Sequence, residues 1–223
     1  MTATITVVLV DGDAYVPLLA DTLNLPVCAA TADTFVTEVA NQSAAGARVI
    51  GLSAWPWLAH DDAHAALATT YPHYRGVGSW YGLPQLATLL ADVLGPAVSA
   101  DAHVLFTAPD PGADASAETL AFLPRLADEV TRNVQPKGRS IAWQGQSRQP
   151  SAVQALDALI DAHNVTRVVE CPVVPAQGGD ASLRAHAETR QVSFTAVDVG
   201  VASRAGMLAQ VVRTVIANEW PDT

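Results

Sequence analysis

Short β-rich runs alternate with helical patterns along the whole chain, and this alternation restricts the possible folds more than any other feature. Runs rich in β-branched residues predict strands at 4–10, 26–30, 48–53, 75–79, 103–107, 140–144, 167–173 and 192–197. Helical periodicity between them predicts helices at 14–22, 32–44, 60–69, 83–93, 114–132, 151–163, 181–188 and 203–218. Strands that alternate with helices favour parallel α/β sheets and exclude an all-α or all-β fold.

The second half of this pattern repeats the first. Strand 48–53 and helix 83–93 have counterparts about 120 residues further on, whereas the first strand repeats after about 99, because the first helix of the chain is shorter. We therefore expect an internally duplicated α/β protein with two similar lobes, each a four-stranded parallel sheet flanked by helices. The lobes are predicted at 1–95 and 103–223, joined near the linker GPAVSADA.

Composition excludes several classes of protein. The chain has 22 acidic and 12 basic residues, a formal net charge of −10, and scattered basic residues, so no nucleic-acid partner is expected. It has no apolar run of the roughly 18 residues that a membrane helix needs, and its first apolar run is typical of a strand and not of a signal peptide. No phosphate-binding glycine motif is present, so no nucleotide is expected. We expect a soluble cytoplasmic protein.

Polar residues follow several predicted strands at their carboxyl ends, where open parallel sheets bind ligands. Asp11 and Asp13 follow the first strand. Their carboxylates either bind a metal or belong to a turn that caps the first helix. His60 and His64 follow the third strand, four residues apart and therefore on one helix face. Imidazole binds divalent metals in its neutral form, but a solvated first helical turn is the alternative for both histidines.

A resemblance to a known family is carried by the stretch QPSAVQALDALIDAHNVTRVVECPVVPAQGGD. It resembles the sirohydrochlorin chelatases of cobalamin biosynthesis and sirohaem synthesis, which belong to the class II chelatases, a group of lyases with a ferrochelatase-type fold. The matching features are Pro150-Ser151, Ala155-Leu156, the strand TRVVECPVV, and Gly178-Gly179 followed by Asp180. The resemblance covers most of 103–218 and, more weakly, 4–93. It implies two lobes that face a tetrapyrrole cleft.

The resemblance also implies metal-binding histidines after the first and third strands of a lobe, and this chain keeps them incompletely. His60 stands at the family position after the third strand of the first lobe and is the implied catalytic residue and metal ligand. Aspartates stand at the other positions: Asp11 or Asp13 after the first strand, and Asp110 and Asp180 in the second lobe. Asp180 is also suited to capping the helix that follows it.

A tetrapyrrole rich in carboxylates requires cationic side chains. Arg48 and Arg75 precede strands, at the wrong end of the first lobe, whereas Arg148, Arg184 and Arg204 follow strands in the second half. The residues expected to bind substrate are Arg148, Arg184, Gly178, Gly179 and Asp180, and those expected to bind metal are His60, His64, Asp11 and Asp13. The first lobe would then present the metal and the second lobe would hold the substrate carboxylates.

Two functions remain open from the sequence. The first is insertion of a divalent metal ion, cobalt, iron or nickel, into a sirohydrochlorin-type tetrapyrrole, with the metal as substrate. The second is a non-catalytic protein of the same fold that binds a tetrapyrrole or a metal after losing the paired histidines.

Overall fold

A computed structural model of the chain describes residues 4–54, 61–77, 83–111, 115–144, 150–173 and 181–221. The chain divides into two compact units, Met1–Gln85 with Val201–Thr223, and Leu86–Gly200. None of the helices in the described ranges is long and apolar enough to cross a membrane.

The first unit contains one parallel sheet in the order β2-β1-β3-β4. Its strands are β1 (Ile5–Val10), β2 (Val27–Ala30), β3 (Arg48–Ser53) and β4 (Tyr74–Val77), and its helices are α1 (Val16–Leu23), α2 (Phe35–Ala44), α3 (Asp61–Thr70) and α8 (Val201–Glu219). A 3-10 turn, Asp13–Tyr15, connects β1 to α1. Every residue of β1 is buried, as expected for a central strand with helices on both faces.

The second unit repeats this arrangement with the sheet order β6-β5-β7-β8. Its strands are β5 (His103–Pro109), β6 (Gly138–Gln144), β7 (Arg167–Pro172) and β8 (Ser193–Ala196), and its helices are α5 (Ala117–Val134), α6 (Ala152–His163) and α7 (Ala181–Thr189). Helix α4 (Leu83–Leu94) groups with this unit from Leu86 onwards. Two four-stranded parallel sheets flanked by helices confirm the predicted fold class.

Local capping signals place α6 where the sequence predicts it. The Ser151 hydroxyl accepts a hydrogen bond from the Gln154 backbone N–H, and the Gln154 side chain accepts one from the Ser151 backbone N–H, at 3.3 and 2.9 Å. This is a complete capping box. Asn164 ends the helix in the left-handed conformation, with φ 48°.

The two units divide the terminal helices differently from the lobes expected at 1–95 and 103–223. Helix α8 follows the second half in sequence but packs on α1 and on the 3-10 turn Asp13–Tyr15 of the first unit. Its apolar stripe is buried there, at Met207, Leu208, Val211, Val212 and Val215. Sequence order alone does not show which unit a terminal helix covers.

Candidate functional site

Each sheet has a topological switch point beside its first strand. The chain adds β2 on one side of β1 and β3 on the other, and it does the same with β6 and β7 around β5. In open parallel sheets, ligands bind outside the carboxyl ends of the strands at this point. The residues that follow or end β1, β3, β5 and β7 are therefore the first candidates for a site.

The turn after β1 fits only a small residue at its centre. Asp11 has φ 53°, and its N–H continues the sheet by donating to the Ala30 carbonyl oxygen at 2.9 Å. A side chain at Gly12 would place its Cβ 2.6 Å from Leu9 Cδ2 and 2.8 Å from Ala54 Cβ. Glycine is therefore required for the turn to approach the end of β3.

The carboxylates of Asp11 and Asp13 do not act as helix caps. Gly12 is the N-cap residue of the 3-10 turn and Tyr15 that of α1, and neither terminus has a side-chain cap. Asp11 is half-buried and Asp13 is exposed. The capping alternative for this pair is therefore not found, and both carboxylates lie at the carboxyl end of the central strand.

A buried arginine lies near the same turn. Arg204, in the first turn of α8, is fully buried, and Tyr15 is also buried. Burial raises the pKa of the Tyr15 phenol above its usual value, and the Arg204 charge opposes this effect in part. The sequence placed Arg204 with the second half, but α8 brings it to the first unit.

The end of β3 lies beside the same turn. The Ala54 N–H donates to the Val10 carbonyl oxygen at 3.0 Å, which extends the pairing of β3 with β1 by one residue. His60 lies outside the described residues, between Ala54 and the start of α3. Its role as metal ligand and catalytic residue stays a prediction.

His64 occupies the core of the first unit. Its side chain is buried, its Nδ1 shares a hydrogen bond with the Tyr74 hydroxyl, and the Phe35 ring contacts it edge-on with centroids 5.2 Å apart. Tyr74 is itself fully buried, and burial raises the pKa of its phenol. A solvated first helical turn therefore does not describe His64.

Two glycines make room for this pair. Gly51 of β3 and Gly76 of β4 are paired in register. A Cβ on Gly51 would collide with the Tyr74 hydroxyl, and a Cβ on Gly76 would collide with the His64 imidazole. Because the bond to Tyr74 occupies Nδ1, metal binding by His64 could use only Nε2.

The substrate-binding residues predicted for the second half are described only in part. Arg184 is exposed on α7. Asp110 is half-buried directly after β5, where its N–H donates to the Gln144 carbonyl oxygen at 3.1 Å. Arg148, Gly178, Gly179 and Asp180 lie outside the described residues, so their predicted roles stay predictions.

Sequence reasoning missed a buried polar chain in the second sheet. Glu170 of β7 and Thr107 of β5 are fully buried, and the Thr107 hydroxyl donates to Glu170 Oε1 at 2.9 Å. Gln144, the last residue of β6, donates from Nε2 to Thr107 Oγ1 at 3.4 Å. The available signal was a glutamate inside the apolar run TRVVECPVV, where the strand pattern allows no exposed position.

Metal-ligating side chains do not form a cluster in the part of the chain that the structure describes. Within those ranges, no three His, Cys, Asp or Glu side chains are grouped so that they could hold a metal ion. Asp11, Asp13 and His64 therefore do not make a three-ligand site by themselves. The predicted metal site requires His60 or other residues outside those ranges.

Comparison with known proteins identifies the fold. No family model matches the chain, and no curated protein matches it. Among solved structures, SirB from Bacillus subtilis with Fe3+ is similar over 99% of this chain and 98% of its own, with a TM-score of 0.66 and 12% identity. CbiX, the terminal enzyme for biosynthesis of siroheme in denitrifying bacteria, is similar over 95% and 98%, with a TM-score of 0.58 and 16% identity.

A third structure shares the fold as part of a larger protein. DR2241 from Deinococcus radiodurans is described as a multi-domain protein with structural similarity to chelatases, and it matches 99% of this chain and 56% of its own, with a TM-score of 0.59 and 13% identity. The protein therefore has the α/β fold of class II chelatases. Within that group, its fold is of the CbiX and SirB type.

Proposed function

We propose that the protein is a chelatase that inserts a divalent metal ion into a sirohydrochlorin-type tetrapyrrole. The observation that carries this proposal is the similarity to CbiX and SirB over nearly the whole length of all three chains. The carboxylates after β1 add support, because they lie where this fold class binds ligands and cap no helix.

In the proposed reaction, His60 binds the incoming metal ion through its neutral imidazole. Two pyrrole N–H protons leave the macrocycle as the metal enters: His60 accepts one after it has released the metal, and the other goes to the Asp11 or Asp13 carboxylate or to solvent. Asp11, which is half-buried, and Asp13, which is exposed, supply hard oxygen ligands. His64 contributes mainly by fixing α3, which begins directly after His60, since its Nδ1 is bonded to Tyr74. The metal, cobalt, iron or nickel, is a substrate.

Arginines hold the substrate carboxylates in this proposal. Arg148 and Arg184 are the proposed partners of these carboxylates, and Gly178, Gly179 and Asp180 are proposed to bind the substrate with them. Arg184 lies on α7, at an exposed position. Charge reversal, Arg148→Glu with Arg184→Glu, is expected to weaken tetrapyrrole binding, measured by absorbance titration.

Arg132→Glu is the matched control, because Arg132 is an exposed arginine of α5 paired only with Glu129 among the described residues. Equal affinity in all three proteins would contradict this role.

A metal-insertion assay tests the function. Purified protein is mixed with metal-free sirohydrochlorin and Co2+, Fe2+ or Ni2+, and the change in the tetrapyrrole spectrum is followed. We expect turnover above the rate without protein, reduced in Asp11→Asn and Asp13→Asn. Asp33→Asn, which removes an exposed carboxylate elsewhere in the first unit, is expected to leave the rate unchanged.

The second candidate function is a tetrapyrrole or metal carrier without turnover. It is favoured by one observation: aspartate stands in place of histidine at three of the four positions that the family resemblance implies. Stoichiometric tetrapyrrole binding with no turnover for any of the three metals would support the carrier and reject the enzyme.

A further inference from the structure

The second unit contains a polar chain at its switch point that the proposed metal site does not use. The chain runs across three neighbouring strands, from Gln144 at the end of β6, through Thr107 of β5, to Glu170 of β7. Thr107 and Glu170 lie on the two strands that flank the switch point, β5 and β7. This is the position at which open α/β sheets bind ligands.

The chain lies on one defined face of the sheet. Glu170 is paired in register with Leu105, and Gln144 with Pro109, and Thr107 lies between them on β5. Residues two apart on a strand share a face, so all three polar side chains are on the face of Leu105. Leu105 packs in a core with residues of α6 and α7. The polar chain therefore lies at the carboxyl end of that core.

The first unit has no equivalent of this carboxyl group. On the corresponding face, Val8 is paired with Gly51, and Gly51 with Gly76. In the second unit the matching row contains Leu105, Glu170 and Ala196. At this position the second unit has a glutamate where the first unit has a glycine. A buried carboxyl group requires compensation by hydrogen bonds, so a purely structural position would favour an apolar residue.

The donor and acceptor atoms fix the direction of the hydrogen bonds in this polar chain. Gln144 Nε2 can only donate, so Thr107 Oγ1 accepts from it, and the single hydroxyl proton of Thr107 is directed to Glu170 Oε1. The amide of Gln144 is then oriented with its Oε1 away from Thr107. Gln144 is half-buried at the strand end, in contrast to its two buried partners. The polar chain therefore connects a buried acceptor, Glu170, to a half-buried amide at the end of β6.

We propose that Glu170 and Thr107 orient Gln144 so that its Oε1 accepts a hydrogen bond from an N–H group of a ligand at the carboxyl edge of the second sheet. Glu170 and Thr107 are positioning residues, and Gln144 is the residue that contacts the ligand. The identification of that ligand as a tetrapyrrole rests on the proposed function. The direction of the hydrogen bonds alone requires only a hydrogen-bond donor, N–H or O–H, and the N–H group is the donor that a metal-free tetrapyrrole offers.

Two probes test the oriented acceptor on Gln144 and the identity of its ligand separately. The side-chain amide signal of Gln144, assigned with Gln144→Leu, is followed by 15N NMR during addition of metal-free sirohydrochlorin and, separately, of imidazolium chloride, an N–H donor without carboxylates. We expect both probes to shift the signal in the wild type. In Thr107→Val the amide loses its fixed orientation, and we expect sirohydrochlorin to bind about tenfold more weakly.

A double-mutant cycle tests whether Thr107 affects ligand binding only through Gln144. Gln144→Leu alone is expected to weaken sirohydrochlorin binding about tenfold, and Thr107→Val with Gln144→Leu is expected to weaken it no further. The matched controls are Thr195→Val, at an exposed threonine of β8, and Gln210→Leu, at an exposed glutamine of α8. Both are expected to bind like the wild type. Circular dichroism and urea unfolding verify that every variant is folded.

The results distinguish failure of this inference from failure of the proposed function. A response to imidazolium without any binding of sirohydrochlorin supports the oriented acceptor and rejects the proposed function. Purely additive losses, or an amide signal that neither probe shifts, would overturn the inference even if the protein inserts metal. Should Thr107→Val fail to fold, Glu170→Leu replaces it in the cycle, with the same expectation, because it removes the acceptor to which the Thr107 hydroxyl donates.

Discussion

His64 Nδ1 and the Tyr74 hydroxyl share a hydrogen bond inside the core of the first unit. The bond joins α3 to β4, and both side chains lie over the glycine pair Gly51 and Gly76. His64 and His60 are therefore expected to differ in function although they are four residues apart. One maintains the helix position, and the other is proposed to bind metal.

Replacing His64 tests its role in stability. His64→Ala removes buried ring contacts and leaves the Tyr74 hydroxyl without this bond, so we expect the free energy of unfolding to fall by about 2–4 kcal/mol. Urea unfolding monitored by circular dichroism measures the change. His73→Ala is the matched control, because His73 is exposed, and it should change stability by less than about 0.5 kcal/mol. Equal stability of the two variants would contradict a core role for His64.

Adding one methyl group to the glycine pair should disrupt the same core. Gly51→Ala places a Cβ against the Tyr74 hydroxyl and 2.8 Å from Phe35 Cζ, so we expect a loss of about 1–3 kcal/mol. Gly206→Ala provides the comparison. Gly206 is exposed inside α8 with nothing near its added Cβ, and alanine should stabilise the helix there by about 0.5–1 kcal/mol. Thermal melts of the two variants should shift in opposite directions.

His103 should make the second unit sensitive to acid. His103 is buried, and its ring stacks on that of His163 with centroids 6.2 Å apart. Burial, together with the neighbouring His163 and Lys137, lowers the pKa of His103 below the usual histidine value of about 6.5. The unfolded chain therefore binds the proton more readily than the folded protein, and stability falls as the pH decreases from about 6.5 towards the lowered pKa.

Substitution of His103 should remove part of this pH dependence. The free energy of unfolding, measured in urea at pH 7.5 and at pH 5.5, is expected to change less between the two values in His103→Phe than in the wild type. His73→Phe serves as control, since that imidazole is exposed. An unchanged pH dependence in His103→Phe would show that this residue does not titrate as its burial implies.

Trp220 is expected to anchor α8 to the first unit. Two arginines contact its buried ring, with Arg48 Cζ at 5.5 Å and Arg75 Cζ at 5.8 Å from its centroid. Trp220→Ala should reduce the free energy of unfolding by about 3–5 kcal/mol, because it removes a large buried ring and both cation–π contacts. Glu219→Gln removes only the exposed ion pair with Arg75 and should cost less than about 1 kcal/mol. Similar losses in both variants, measured by urea unfolding, would contradict the anchoring role.

Much of the fold could be predicted from the sequence because its signals are local. The apolar runs, the helical periodicity and the capping box of Ser151 and Gln154 each act within a few residues. All eight strands and the eight α-helices of the described chain lie where the pattern predicts them, within a few residues. The position of α8 was not predictable in this way, because its apolar stripe shows that it packs but not on which unit.

The candidate site was harder to predict because burial depends on partners distant in sequence. The spacing of His60 and His64 places both on one helix face, but it does not show that Tyr74 and the glycines Gly51 and Gly76 accommodate His64 in the core. Likewise, the sequence does not show that Glu170 has hydrogen-bond partners, because Thr107 and Gln144 lie on other strands and are distant in sequence. The aspartates after β1 were predictable because strand ends are set by the local pattern.

The most direct test of the central claim compares insertion and binding in one variant. For His60→Ala and the wild type, Co2+ insertion into sirohydrochlorin and the dissociation constant for the metal-free tetrapyrrole are measured side by side. We predict that His60→Ala loses at least about tenfold in insertion rate, through loss of a metal ligand and proton acceptor, and binds the tetrapyrrole as the wild type does. Insertion at the wild-type rate in His60→Ala, or no insertion by the wild-type protein, would contradict the account.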